Sequence, residues 1–151
     1  MNADADLSQI RHSGTIQLQS IHHGADGFLA VAEYERSIPF RINRVYFIAG
    51  MNNPDVVRGK HAHKALQQAI FCIKGSFLLD LDDGTIKVSV LMDRPDRGVY
   101  LGPLLWHEMR SFTPDCVILV LASEVYNESD YLRKYDDFLA YIAQHEEAAD
   151  R

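Results

Sequence analysis

Residues Arg58 to Gly75 read R-G-K-H-A-H-K-A-L-Q-Q-A-I-F-C-I-K-G. Two histidines, His61 and His63, are separated by a single residue. Side chains alternate faces along a β-strand, so both imidazoles project from one side, about 7 Å apart. Arg58, Lys60 and Lys64 flank them. Gln67 and Gln68 then open an apolar strand, Ala69 to Ile73, which Gly75 ends. Two histidines, two glutamines and three cations on one strand pair are not the makings of a core. They suit a site, and its cations suit an anionic ligand.

Outward from this stretch the chain reads as short strands. Upstream, Thr15 to Ile21 alternates weakly, Gly24 and Gly27 mark a turn, and Phe28 to Glu33 forms a second strand. Asn43 to Ala49 is rich in β-branched and aromatic residues. Downstream, Ser76 to Leu81 and Thr85 to Met92 flank the hairpin signal Asp82-Asp83-Gly84. Val99 to Leu101 and Trp106 to Phe112 lie on either side of Gly102-Pro103. Cys116 to Ser123 is almost wholly apolar, as expected of a strand buried on both faces. Tyr126 to Tyr135 reads as loop. Asp136 to Glu147 has apolar residues at helical spacing and an acidic first turn suited to the helix dipole. Many short strands with glycine turns and one helix predict an all-β sandwich or barrel. A polar lead-in (1–14), a single domain (15–147) and a tail (148–151) are the expected boundaries.

Composition narrows the partners. A net charge of −6 speaks against a nucleic-acid binder, which would be basic. No run reaches the roughly 18 apolar residues that span a bilayer, and the start of the chain has no apolar leader. Cys72 and Cys116 both sit in apolar runs, as buried free thiols of a reducing compartment would. The expectation is a cytoplasmic protein that binds neither nucleic acid nor membrane.

The chemistry admits more than one reading. Metal-binding cupin barrels carry H-x-H, a glutamate, a glycine, and a third histidine on a later strand. Here His61 and His63 are followed by Gln68 in place of the glutamate, then Gly75, with His107 later on. The spacing points to a cupin barrel, a double-stranded β-helix or jelly roll. The glutamine removes the only anionic ligand, so no metal is expected. Unmetallated, the histidines suit proton transfer near neutral pH. Arg44 and Tyr46 share a face at i and i+2; inside a barrel they would offer a cation and a phenol, outside they would be surface groups. Tyr100 and Trp106 suit a core or a ligand equally. Arg110 suits a phosphate or a surface ion pair.

The patterns I-P-F…R-V-Y, R-G-x-H-A-H-K, L-D-D-G, G-P-x-x-W-H-E-M and V-L-A-S…Y-x-E-S-D-Y-x-R-x-Y-D-x-F resemble the bacterial sugar 3,4-ketoisomerases. These FdtA/QdtA-like, WxcM-like cupins act on dTDP-4-keto-6-deoxyglucose. The resemblance spans roughly Ile21 to Ile142. It implies a metal-independent, cofactor-free isomerase, and a homodimer with exchanged N-terminal strands. It implies His63, His61 and Tyr46 as catalytic residues. It implies Arg44, Arg58, Lys64, Gln68, Trp106, His107, Arg110 and Asp26 as substrate-binding. Asp26 stands where members carry Tyr or Arg, a position tied to the C-4 configuration, with Arg110 as its companion. The other readings are a 3,5-epimerase-like cupin and a non-catalytic cupin that binds a sugar nucleotide.

Overall fold

The computed structural model describes residues 6–149. Twelve strands and one helix follow one another: β1 (Ser13–Gln17), β2 (Gln19–His22), β3 (Phe28–Val31), β4 (Arg44–Ile48), β5 (Arg58–His63), β6 (Gln68–Lys74), β7 (Phe77–Asp82), β8 (Lys87–Met92), β9 (Arg97–Leu101), β10 (Trp106–Arg110), β11 (Val117–Ala122), β12 (Tyr131–Leu132) and α1 (Tyr135–Ala149). Ten of the strands form two five-stranded sheets, in the orders β1-β9-β6-β11-β4 and β12-β5-β10-β7-β8, and β2 and β3 form a two-stranded sheet. All pairings between named strands are antiparallel. The arrangement is that of a jelly roll.

The period-two pattern explains how the sheets pack. Ile70, Cys72, Val99, Ile118 and Val120 from one sheet meet Phe77, Leu79, Leu81, Met92 and Met109 from the other in a common buried core. Each sheet is also covered on its outer face. Ile38 and Phe40 lie over Phe71 and Leu121. Phe138 and Ile142, one turn apart on α1, lie over Ala62 and Trp106. The apolar run of β11 follows from this double cover, with Ile118 and Val120 inside and Leu119 and Leu121 outside. The β7–β8 turn is held by Asp83, whose carboxylate accepts from the backbone N–H groups of Thr85 and Ile86.

Three expectations change. The strand expected over Thr15 to Ile21 is two strands, broken at buried Leu18, whose N–H donates to the Asp96 carbonyl. β1 pairs with β9 of its own chain, whereas among the described residues β2 pairs only with β3. Part of the expected lead-in belongs to the fold: Leu7 and Ile10, three residues apart around a 3-10 turn, are buried in the inner core. Residues 1–5 lie outside the described residues. The expected loop over Tyr126 to Tyr135 contains a 3-10 turn, Glu128–Asp130, and the short strand β12 against β5. Among the described residues no helix is long and apolar enough to cross a membrane.

Candidate active site

β5 and β10 are neighbours, and His107 lies directly across from His61. The ring centroids are 4.6 Å apart for His61–His107 and 4.9 Å for His61–His63. β12 adds Tyr131 opposite His63, its ring 4.4 Å from His63 and 4.9 Å from His61. Three imidazoles and a phenol ring thus form one cluster inside the jelly roll.

A β-bulge adjusts what joins them. Glu108 opposes Gly59 and Met109 opposes Arg58, leaving Lys60 as the extra residue. Gly59 and Lys60 both take left-handed backbone (φ 80° and 57°). Strict alternation from His61 would send Arg58 to the outer face. The bulge instead pairs it with inward Met109, so Arg58 shares the histidine face. Its charge is felt by the Tyr46 phenol.

Hydrogen bonds set the tautomers of His63 and His61. His63 Nδ1 lies 3.0 Å from Asp130 Oδ2. The Asp130 carboxylate also accepts from the backbone N–H groups of Ala65 (2.8 Å) and Leu66 (3.3 Å). An ionised carboxylate only accepts, so His63 carries its proton on Nδ1. His63 Nε2 is buried with no partner among the described residues, a bare lone pair facing the interior. His61 Nδ1 likewise donates to the Gly59 carbonyl at 3.0 Å. Burial, reinforced by neighbouring His63, pushes His61 down to about 4. Burial also lowers His63, against the pull of Asp130, and lowers His107 strongly. The three rings are neutral at pH 7, and His61 and His63 are set to accept a proton through Nε2.

The facing wall comes from the other sheet. Arg44 and Tyr46 on β4 turn inward, with the Arg44 guanidinium 5.4 Å from the Tyr46 ring centroid. Gln68, buried on β6, donates from Nε2 to the Tyr46 hydroxyl at 2.8 Å. Arg44 Nε is buried without a partner among the described residues. A cavity of about 360 Å³ opens here, lined by Arg44, His63, Ser123, Asn127, Asp130 and Tyr131 among others. Among the described residues, no group of three or more His, Cys, Asp or Glu is arranged to hold a metal ion.

The family model FdtA, described as WxcM-like, C-terminal, matches residues 11–143. The chain belongs to the FdtA family. It is 48% identical over 118 residues to the TDP-4-oxo-6-deoxy-α-D-glucose-3,4-oxoisomerase of Aneurinibacillus thermoaerophilus, covering 78% of this chain and 84% of that one. Its fold matches the sugar 3,4-ketoisomerase QdtA of Thermoanaerobacterium thermosaccharolyticum in complex with TDP, with a TM-score of 0.86, 37% identity, and 91% and 98% of the two chains covered. It also matches the TDP-quinovose 3,4-ketoisomerase WlaRB of Campylobacter jejuni, with a TM-score of 0.81, 37% identity, and 87% and 99% covered.

Within this FdtA-family chain the structure gathers some expected site residues and separates others. His61, His63, His107, Tyr46, Arg44, Arg58 and Gln68 converge. Trp106 and Arg110 do not, because both lie on the face of β10 opposite His107. Trp106 packs under α1, its ring 5.8 Å from that of Phe138. Arg110 makes a two-point ion pair with Asp80 (2.5 and 3.1 Å) in an outer pocket that also holds the Lys87–Asp82 ion pair. Parity explains the separation, since residues one or three apart from His107 must face away. Lys64 also points outward, donating to the Ser129 carbonyl. Asp26 sits exposed on the 3-10 turn Gly24–Asp26 between β2 and β3, on the hairpin and not on the strands that carry His61, His63 and His107.

The residues missed from sequence are Asp130, Tyr131 and the Gly59 carbonyl. The signal for Asp130 was its place in the asparagine-led turn N-E-S-D, which returns the chain to β5. A backbone carbonyl leaves no signal at all.

Proposed function

We infer that this chain is a nucleotide-sugar 3,4-ketoisomerase acting on a TDP-linked 4-keto-6-deoxy sugar. The observation that carries the reading is His63, whose Nδ1 is anchored on Asp130 while its Nε2 stands buried and bare at the cavity. That is the equipment of a general base. A 4-keto group acidifies the hydrogen at C-3. His63 Nε2 takes that hydrogen as a proton, and the electrons left behind form a C-3–C-4 double bond with negative charge on O-4. O-4 is protonated, O-3 gives up its proton as its carbonyl forms, and a proton is delivered to C-4. The sum is an isomer with a 3-keto group and no net gain or loss of electrons. Tyr46 and the neighbouring rings serve the oxygen atoms, and developing charge at O-4 is the place where fixed donors contribute most. Arg44 and Arg58 offer charge to the diphosphate. Relatives support the substrate class: QdtA structures hold TDP, and a histidine-to-asparagine mutant of QdtA holds TDP-4-keto-6-deoxyglucose.

The test is His63→Asn. Turnover, followed by NMR of the sugar product, is expected to fall about 10²–10⁴-fold, the usual worth of a general base, with the fold retained. Wild-type enzyme in deuterated water should carry deuterium at C-4 of the product. Deuterium at C-5 would instead indicate epimerisation. Stabilisation by TDP-sugars without turnover would indicate a binding protein.

The reading includes a homodimer. The β2–β3 hairpin pairs with no other strand among the described residues. It exposes Phe28 and Leu29, while edge strand β4 exposes Val45 and Phe47, the last 72% accessible. Such apolar surface on an open edge is normally covered. Packing the hairpin onto a second copy covers it, and β1, already paired with β9, need not move. Light scattering should then give about twice the 17.1 kDa chain mass. Two buried free thiols fit a reducing, cytoplasmic setting.

A further inference from the structure

We propose that Gln68 is a positioning residue: by donating to the Tyr46 phenol oxygen it turns the phenol's own proton away from the wall and toward the substrate. The proposal deepens the ketoisomerase reading and rests on it for the identity of that substrate. Gln68 on β6 and Tyr46 on β4 are not neighbours, because β11 runs between them. Gln68 is in register with Ala122, and Tyr46 with Val120. The side chains therefore meet diagonally across the strand. Ala122, fully buried and carrying only a methyl group, leaves the room for a 2.8 Å bond above it.

The chemistry of the bond gives it direction. An amide N–H has no lone pair to receive a proton, so in this bond the phenol oxygen is the acceptor. The phenol's hydrogen must then point away from Gln68, which leaves it free for a substrate oxygen on which charge develops. Gln68 is almost fully buried, so water does not compete for the amide. The bond also opposes the effect of burial, which raises the Tyr46 phenol above its ordinary value; Arg44, Gln68 and Arg58 each pull it back down. A carboxylate in place of Gln68 would do the reverse. It would accept the phenol's proton, hold it against the wall and make the phenol a poorer acid.

The experiment is a double-mutant cycle on full-length protein with Gln68→Met, which keeps shape and loses the donor, and Tyr46→Phe. Gln68→Met is expected to lower kcat about tenfold, the worth of one such bond, with KM little changed. In the Tyr46→Phe background it should cost nothing further. Gln68→Glu should lose more at neutral pH and recover as acid protonates the introduced carboxyl, which then donates again. Independently of activity, ring NMR of Tyr46 should show its ionisation moved to higher pH in Gln68→Met. Additive losses in the cycle, or an unmoved Tyr46 titration, would overturn the proposal. If the wild type turns over no 4-keto sugar, the ketoisomerase reading falls, and the NMR titration alone judges the Gln68–Tyr46 bond.

Discussion

Replacing Asp130 by Asn tests whether the carboxylate sets the tautomer of His63. Asp130 Oδ1 accepts from Ala65 N–H at 2.8 Å, while Oδ2 accepts from Leu66 N–H at 3.3 Å and from His63 Nδ1 at 3.0 Å. An Asn side chain keeps one acceptor and gains two donors. If its oxygen stays on Ala65, the shorter contact, its NH₂ faces both the Leu66 N–H and His63. The imidazole must then accept at Nδ1, carry its proton on Nε2, and present that proton where a lone pair is required. If the amide flips, His63 is satisfied but the Ala65 N–H meets a donor. Either way one polar contact is lost at a largely buried site, costing about 1–3 kcal/mol of stability. The first arrangement adds a wrong tautomer, which can cost about 10⁴-fold in kcat in an anchored-histidine enzyme. Turnover should fall by about 10²–10⁴-fold, with KM changed far less. Histidine nitrogen shifts should show His63 moving from Nδ1–H to Nε2–H. The acid limb of the pH–rate profile also has a required sign. Asp130 raises the His63 basicity that burial lowers, so its loss must move the limb to lower pH. A folded variant with turnover within tenfold of wild type, or a limb moved upward, would refute the reasoning.

Acid should destabilise the fold through the histidine cluster. His61 falls from about 6.5 unfolded to about 4 folded, so its contribution is whole above pH 6.5 and is lost as pH falls toward 4. That loss is about 2 kcal/mol by pH 5 and about 3 kcal/mol below pH 4; denaturant titrations should show a clearly smaller acid loss in His61→Gln. Trp106→Ala should cost about 3–5 kcal/mol as a core truncation beneath α1, whereas Arg110→Ala, which removes a partly exposed ion pair, should cost about 1 kcal/mol or less and leave kinetics within about twofold. A large rise in KM for Arg110→Ala would return that residue to the site. Gly59→Ala places a Cβ 2.9 Å from the His107 carbonyl oxygen at a left-handed position. It should cost about 1–3 kcal/mol and reduce kcat, because the Gly59 carbonyl holds His61; normal stability and turnover would show that the bulge tolerates a side chain.

Much of the fold was legible because burial follows periodicity. β11 reads as doubly buried and is, since a strand covered by core on one side and by Ile38 and Phe40 on the other has no polar face. The Asp-Asp-Gly hairpin and the helix after Tyr135 were legible for equally local reasons, a carboxylate-capped turn and an acidic first turn ahead of an apolar stripe. What failed needed tertiary context. Residues 7–10 show no periodicity long enough to read, and only the core beneath them makes Leu7 and Ile10 structural. The break at Leu18 is set by a bond to the Asp96 carbonyl, nearly eighty residues away.

The site shows how far alternation carries and where it stops. His61 and His63 share a face because they are two apart, and Arg44 and Tyr46 do for the same reason. The same rule, applied to β10, separates Trp106 and Arg110 from His107, although a motif such as W-H-E-M invites all of its residues into one site. On β5 the rule fails by one residue. Lys60 is the extra residue of a bulge, and a single insertion reverses the face of everything before it. Arg58, three positions from His61, therefore lies with His61, whereas Arg110, three positions from His107 on an unbulged stretch, does not. The glycine that permits the bulge also supplies the carbonyl that orients His61. One backbone irregularity thus brings a cation to the histidine face and directs the His61 lone pair, and neither effect can be read from side-chain identity.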